Sequence, residues 1–186
     1  AQRARAMRMR VIAYDPYMRP GTEKVFGVEM VSFEELLSTS DVVSLHSPLT
    51  KETEGLIDDD ALSRMKSDSI LVNTSRGSVV NTAALAKALR SGKIAAAGID
   101  VLPIEPASED EPLIQLWREA DETNVNLIIT PHTAFYSAEA MLEIRTKTAM
   151  EVARALRGEK LVNCVNSQWL SNDVCRRVLV GIPPTV

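Results

Sequence analysis

The chain is poor in the residues that build compact metal or disulfide scaffolds. Its 186 residues include only two cysteines, two histidines and eight aromatic side chains. Cys164 and Cys175 stand eleven positions apart, with no CxxC spacing and no clustered histidine, so neither a disulfide framework nor a zinc site is suggested. A reducing, cytoplasmic setting is the default for such a chain. No apolar run approaches the roughly 20 residues of a membrane span, and the first ten residues lack the apolar centre of a secretory signal. There is no positive excess either: the net charge of −4 gives no general attraction to nucleic acid or to an acidic membrane. Finally, none of the eight glycines forms a GxG pair.

What is present is an ordinary globular composition, 45% hydrophobic and 25% charged, with an aliphatic core. At roughly 100 to 200 residues per domain the length allows one full domain and hardly two. Charge is uneven. Arg3, Arg5, Arg8 and Arg10 occur before any acid, which leaves 17 basic against 25 acidic residues in the remainder, net −8. Ala1, Ala4 and Met7 recur at helical spacing, and the segment contains no serine. It therefore reads as the end of an amphipathic helix with a solvated arginine face, in preference to a transit peptide.

Short aliphatic runs alternate with helical stretches along the chain. Strands are expected at 10–14 (RVIAY), 42–45, 70–72, 94–101 (IAAAGIDV) and 127–129. Helices are expected at 32–39, where Ser32 precedes Glu35 in capping-box spacing, and at 58–65, with acids in the first turn. Two more are expected at 82–90, between Asn81 and Gly92, and at 138–157, stopped by Gly158. The segment with Pro103, Pro106 and Pro112 reads as loop. Continuous aliphatic strands separated by helices imply an α/β fold: a Rossmann-like, doubly wound parallel sheet covered on both faces.

Such a sheet carries its chemistry at the carboxyl ends of its strands, and those positions are polar here. Asp15 follows the first strand and His46, Ser47 and Pro48 the second. Asn73, Thr74, Ser75, Arg76 and Gly77 follow the third, Asp100 and Glu105 the fourth, and Thr130, Pro131 and His132 the fifth. Asp15 stands where a dinucleotide fold places its ribose-binding carboxylate; Asp-Pro is equally a turn starter, and both readings stay open. An acid there favours NAD over NADP, a preference that Arg19 weakens slightly. Arg76, in a turn after a buried strand, has the fork geometry to clamp a substrate carboxylate, although an isolated arginine is more often an ordinary surface residue. His132 has the chemistry of a general acid for a carbonyl oxygen; taken singly, it is as readily a structural histidine. Glu105 sits in an acidic loop with Glu109, Asp110 and Glu111. Solvation explains that loop, but Glu105 could also accept the second imidazole proton of His132. Together an arginine, an acid and a histidine on successive strand ends form a coherent site for reducing a 2-keto acid.

The stretches VIAYDPY, DVVSLHSPLTKETEGLID, LVNTSRGSVVNTAALAKAL, AAAGIDVLPIEP and ITPHTAFYS, in this order and spacing, closely resemble the NAD-binding domain of D-isomer-specific 2-hydroxyacid dehydrogenases. The likeness runs from about Met9 to Asn166. ITPHTAFYS and NCVN (163–166) look most like the C-terminal-binding-protein corepressor branch and its bacterial relatives. The resemblance implies Arg76, Glu105 and His132 as catalytic residues: carboxylate clamp, partner of the histidine and acid/base. It implies NAD as cofactor, with Asp15 at the ribose, Asp100 near the nicotinamide carboxamide, and Ser47, Pro48, Thr53, Thr74, Ser75, Arg76, His132 and Thr133 lining the site. Its partners would be a small 2-keto or 2-hydroxy acid and, in the complete protein, a second copy in a homodimer, with no metal, nucleic acid or membrane.

The glycine-rich turn that lets backbone amides approach a pyrophosphate is missing from the sequence. Residues 1–9 resemble the far end of the helix that follows that turn in the family. The chain is therefore expected to be an N-terminally truncated, partial NAD-binding domain over 1–161, followed by a tail, 162–186, that matches the family poorly after 170. On this reading the absent first strand lies between the strands at 10–14 and 94–101, and the isolated chain binds NAD negligibly. A non-enzymatic, NAD-sensing protein like the corepressors would keep the same three residues, and an inactive fragment is the third alternative.

Overall fold

A computed structural model describes residues 1–119 and 124–165. Backbone contacts divide the chain into two compact units, 1–134 and 135–186. The first contains α1 (Gln2–Ala6), β1 (Ile12–Ala13), α2 (Thr22–Phe26), β2 (Glu29–Met30), α3 (Phe33–Thr39), β3 (Val42–Leu45), α4 (Asp59–Arg64) and β4 (Ile70–Asn73). A single 3₁₀ turn (Gly77–Val79), α5 (Thr82–Arg90), β5 (Ala96–Ile99), α6 (Pro112–Arg118) and β6 (Leu127–Ile129) complete it. The second unit is built on α7 (Ala138–Leu156). Of the tail expected from 162, residues 162–165 are described; Cys175 and the rest lie outside the described residues. No described helix is long and apolar enough to cross a membrane.

Helix starts follow their caps. The side chains of Ser32, Asp58, Asn81 and Ser137 each accept the amide three residues on, from Glu35, Ala61, Ala84 and Ala140, at 2.9–3.1 Å. Each bond satisfies a donor that the first helical turn leaves without an intrahelical partner. Gly92 and Gly158, at φ +67° and +70°, follow the ends of α5 and α7 in the left-handed conformation that glycine adopts without a Cβ clash. Three short elements go beyond the sequence expectation: α2, β2 and α6. Helix α6 begins at Pro112 itself, since a proline at the first helical position gives up an amide that has no helical partner anyway, and it buries Leu113 and Leu116 completely.

All strand pairs are parallel. The larger sheet has the order β3-β4-β5-β6, and β1 with β2 forms a separate two-stranded sheet. This corrects one expectation. Strand β5 is paired on both sides, by β4 and β6, so it offers no place beside it for a further strand; the open edges of the larger sheet belong to β3 and β6. The register also shows which face is core. Val43, Leu71, Ala97 and Leu127 align across the four strands and are all buried. On the opposite face Val42, Ile70 and Ile128 are exposed. The buried face packs with Leu37, Leu62, Leu85, Leu113 and Leu116 from α3 to α6, the helix-on-parallel-sheet layering that the continuous aliphatic runs predict.

Candidate active site

Strands β4, β5 and β6 end level with one another, and their last residues are tied together through the backbone. The Asp100 amide donates to the Asn73 carbonyl at 2.9 Å, the Thr130 amide to Ile99 at 3.0 Å and the His132 amide to Asp100 at 2.8 Å. Three polar segments are therefore fixed along one sheet edge.

The first carries Arg76. Asn73 closes β4 with no exposed surface. Its Oδ1 accepts both the Ser75 amide at 3.0 Å and the Ser75 hydroxyl at 2.9 Å, while its Nδ2 donates to the Arg76 carbonyl at 2.9 Å. All of these bonds shape the turn that presents Arg76. The sequence places Asn73 at a strand end but gives it no role; an amide buried in front of a polar turn is the signal that could have identified it. The Arg76 side chain is exposed. Its Nη1 donates to the Ser75 carbonyl at 2.6 Å, and among the described residues no carboxylate pairs with it. Next to it, Gly77 is buried against the following loop: a Cβ there would lie 2.0 Å from the Leu102 carbonyl carbon and 2.3 Å from the Pro103 nitrogen. Glycine at this position lets the Arg76 turn and the loop that bears Glu105 touch.

That loop holds the second group. Glu105 Oε1 accepts the Leu102 amide at 3.0 Å, and Oε2 lies 2.7 Å from His132 Nδ1. The hydrogen bond with His132 holds the Glu105 carboxyl below its ordinary value; partial burial opposes this, and the Leu102 amide reinforces it. Glu105 is therefore ionised at neutral pH. An ionised carboxylate only accepts, so the proton between the two groups sits on Nδ1. The structure thus brings Glu105 and His132, which the sequence reading pairs, within hydrogen-bond distance.

Asp100 is the third group. It is buried, and its carboxylate accepts Thr130 Oγ1 at 2.6 Å, the Thr133 amide at 2.8 Å and the Ala134 amide at 3.0 Å. Burial pushes its carboxyl up, but these hydrogen bonds outweigh it and leave the group below the usual aspartate value.

The residues expected to line a cofactor are more scattered. Ser47 and Pro48 follow β3. Ser47 Oγ is shut off from solvent and has no hydrogen-bond partner among the described residues. A buried hydroxyl left without a partner costs about 1–3 kcal/mol, so this orphan fits a polar ligand at the strand ends. The Pro48 carbonyl accepts Thr53 Oγ1 at 2.6 Å, and Thr53 Oγ1 accepts the Thr50 amide at 2.8 Å, so Thr53 closes the 48–53 loop. Thr74 is exposed at the end of β4. Asp15 follows β1, in the separate sheet. Its Oδ1 accepts the Tyr17 amide at 2.9 Å and its carbonyl accepts Met18, so the turn-starting role is realised, with the carboxylate still exposed. His46 Nε2 lies 2.9 Å from Ser44 Oγ. Within the first unit, a cavity of about 280 Å³ near Phe33 and Arg64 has none of these residues in its lining.

A parallel sheet layered with helices, with its polar residues at the carboxyl ends of the strands, defines an α/β protein of the Rossmann-like class. Residues 1–134 match the model of the D-isomer specific 2-hydroxyacid dehydrogenase, NAD binding domain, and the chain belongs to that family. It is 44% identical over 168 residues to a glyoxylate reductase of Korarchaeum cryptofilum, covering 90% of this chain and 48% of the relative. To a D-3-phosphoglycerate dehydrogenase of Archaeoglobus fulgidus it is 40% identical, over 89% of this chain and 30% of the relative. Among solved structures, the D-lactate dehydrogenase of Aquifex aeolicus complexed with NAD and lactic acid superposes with a TM-score of 0.74 at 35% identity, over 84% of this chain and 49% of that one. The chain thus spans about half or less of the length of these relatives.

Proposed function

We propose that these residues form the cofactor-side half of a D-2-hydroxyacid dehydrogenase, in which hydride passes between NAD(H) and a small 2-keto or 2-hydroxy acid. The observation that carries this reading is the 2.7 Å contact between His132 Nδ1 and Glu105 Oε2, with the second Glu105 oxygen held by the Leu102 amide. A ring oriented in this way through Nδ1 has the chemistry of a positioned general acid/base. Arg76 binds the substrate carboxylate through paired N–H donors. His132 Nε2 gives its proton to the carbonyl oxygen in reduction and takes it from the hydroxyl in oxidation, while Glu105 stabilises the imidazolium. NAD, when bound, supplies or accepts the hydride. Asp15 would hold its adenosine ribose and Ser47, Pro48, Thr53, Thr74, Ser75 and Thr133 would line its path, with the orphan Ser47 hydroxyl supporting that placement.

Turnover tests the proposal. The protein carrying these residues is expected to oxidise NADH with at least one of glyoxylate, hydroxypyruvate and phosphohydroxypyruvate, and Arg76→Gln to lower kcat/KM by about 10²-fold or more, the scale of losing a bidentate charged contact in a desolvated site. Unchanged turnover in the variant removes the clamp role. No turnover with any 2-keto acid, together with NADH-dependent self-association, would support a sensing protein instead.

A further inference from the structure

Asp100 has four hydrogen bonds to a single five-residue segment. Its carboxylate accepts from Thr130, Thr133 and Ala134, and its backbone carbonyl accepts the His132 amide at 2.8 Å. That segment contains the one residue of the carboxylate–imidazole pair whose backbone is strained: His132 has φ +51°, a left-handed conformation that disfavours any residue with a Cβ. Such conformations persist where surrounding structure over-determines them. Asp100 is also one of only three buried polar residues among those described, with 4% of its surface exposed, although burying a carboxylate is costly unless its hydrogen bonds are made. Its place is therefore not explained by packing.

We propose that Asp100 is a positioning residue that holds the 130–134 turn in its left-handed form, so that His132 Nδ1 stays on Glu105. The inference rests on the acid/base reading of His132 given above. The arrangement accounts for the choice of a carboxylate. Three donors, one hydroxyl and two amides, converge on two oxygens, which an ionised carboxylate accepts and which neither an amide nor an aliphatic side chain accepts in full. A carboxylate offers about four lone-pair positions, and three are taken here. One position remains on Oδ2 for a cofactor amide, so the role implied by resemblance is compatible with this one but secondary to it in the described structure.

The experiment uses the ¹⁵N-labelled chain without cofactor or substrate, so its outcome is independent of turnover. Amide exchange is measured at Thr133 and Ala134, with Leu71 and Val72 in β4 as internal reference, and the His132 imidazole is followed by its Nδ1 proton resonance. In Asp100→Asn, exchange at Thr133 and Ala134 is expected to rise about tenfold or more over the reference amides, the loss of roughly one charge-assisted hydrogen bond, and the Nδ1 resonance of the Glu105-bound ring to disappear. Thr130→Val removes one of the three bonds at an exposed position and is expected to give about a threefold rise, which Thr130→Ser restores by returning the hydroxyl. If Asp100→Asn does not fold, the Thr130 pair decides. Exchange at Thr133 and Ala134 within twofold of the unsubstituted chain, or rising equally at Leu71 and Val72, overturns the positioning role; loss of enzyme turnover alone bears on the proposed function.

Discussion

The strand ends of β4 to β6 and the turn after β1 are both polar edges of parallel sheets, yet they are built differently. At the first edge, buried Asn73 and Asp100 spend almost every acceptor on neighbouring turns, and Glu105 is held by a backbone amide while it holds His132. At the second, Asp15 makes a local bond to Tyr17, two residues on, and remains exposed on a two-residue strand. The difference separates two kinds of site. The first edge is preorganised by the chain itself, as the proposed acid/base role requires. The Asp15 turn carries a charge without a rigid frame beyond its own local bond.

The largest expected effect tests the preorganised edge. His132→Asn is expected to lower kcat/KM by about 10²–10⁴-fold, the usual worth of a positioned general acid, while the melting temperature moves by no more than about 2 °C because the ring is exposed. A drop in melting temperature comparable to that of a core substitution would instead make His132 structural. Gly77→Ala comes next. Its Cβ would meet backbone, not a movable side chain, so overpacking is expected to cost about 1–3 kcal/mol, or roughly 3–10 °C, and to part the Arg76 turn from the Glu105 loop. A variant as stable and as active as the parent would show that the two loops need not touch.

Much of the preorganised edge is legible in the sequence, and the reason is local chemistry. The bounds of β3, β6 and α5 follow from short aliphatic runs and from Asn81 and Gly92, signals that need no tertiary information. The proximity of Glu105 and His132 is legible because an acid and a histidine follow adjacent strands. What the sequence hid depends on distant partners. An aliphatic run of IAAAGIDV does not say whether its strand lies at an edge or in the interior, and β5 proved to be paired on both sides. Nor does a run of valine, isoleucine and leucine reveal that Val42, Ile70 and Ile128 share an exposed face, since periodicity is lost when every position is apolar. Strand β2 is too short for a pattern, and α6 hides behind a proline that reads as loop. Asn73 is invisible for another reason: its role lies in bonds to the turn that follows it.

The edge of Glu105 and Asp100 should also respond to acid. Both Glu105 and Asp100 have folded-state values below those of the unfolded chain, because their hydrogen bonds favour the charged form. The stability they provide is thus fully present above the ordinary carboxylate range of about 4 and is lost as pH falls through the depressed folded values. The melting temperature of Glu105→Gln is therefore expected to lie below that of the unsubstituted chain at pH 7 and to approach it at pH 3. A constant gap across that range would mean that the Glu105 charge contributes nothing to the fold.

A smaller effect on stability than that of Gly77→Ala falls at Asp15, and there two substitutions separate its two roles. Asp15→Ala deletes the acceptor for the Tyr17 amide and is expected to cost about 0.5–1 kcal/mol, the net worth of one exposed-site hydrogen bond at most. Asp15→Asn keeps an oxygen for that amide and removes only the charge, so its stability should match the parent. If Asp15 also meets the ribose hydroxyls, both variants raise the KM for NADH, and Asn, which no longer repels a 2′-phosphate, narrows the preference over NADPH. If its work is confined to the turn, Asn behaves as the parent in both assays and only Ala differs, in melting temperature alone. The comparison of Asn with Ala at this one position therefore decides whether the exposed edge is a recognition element or a loop cap.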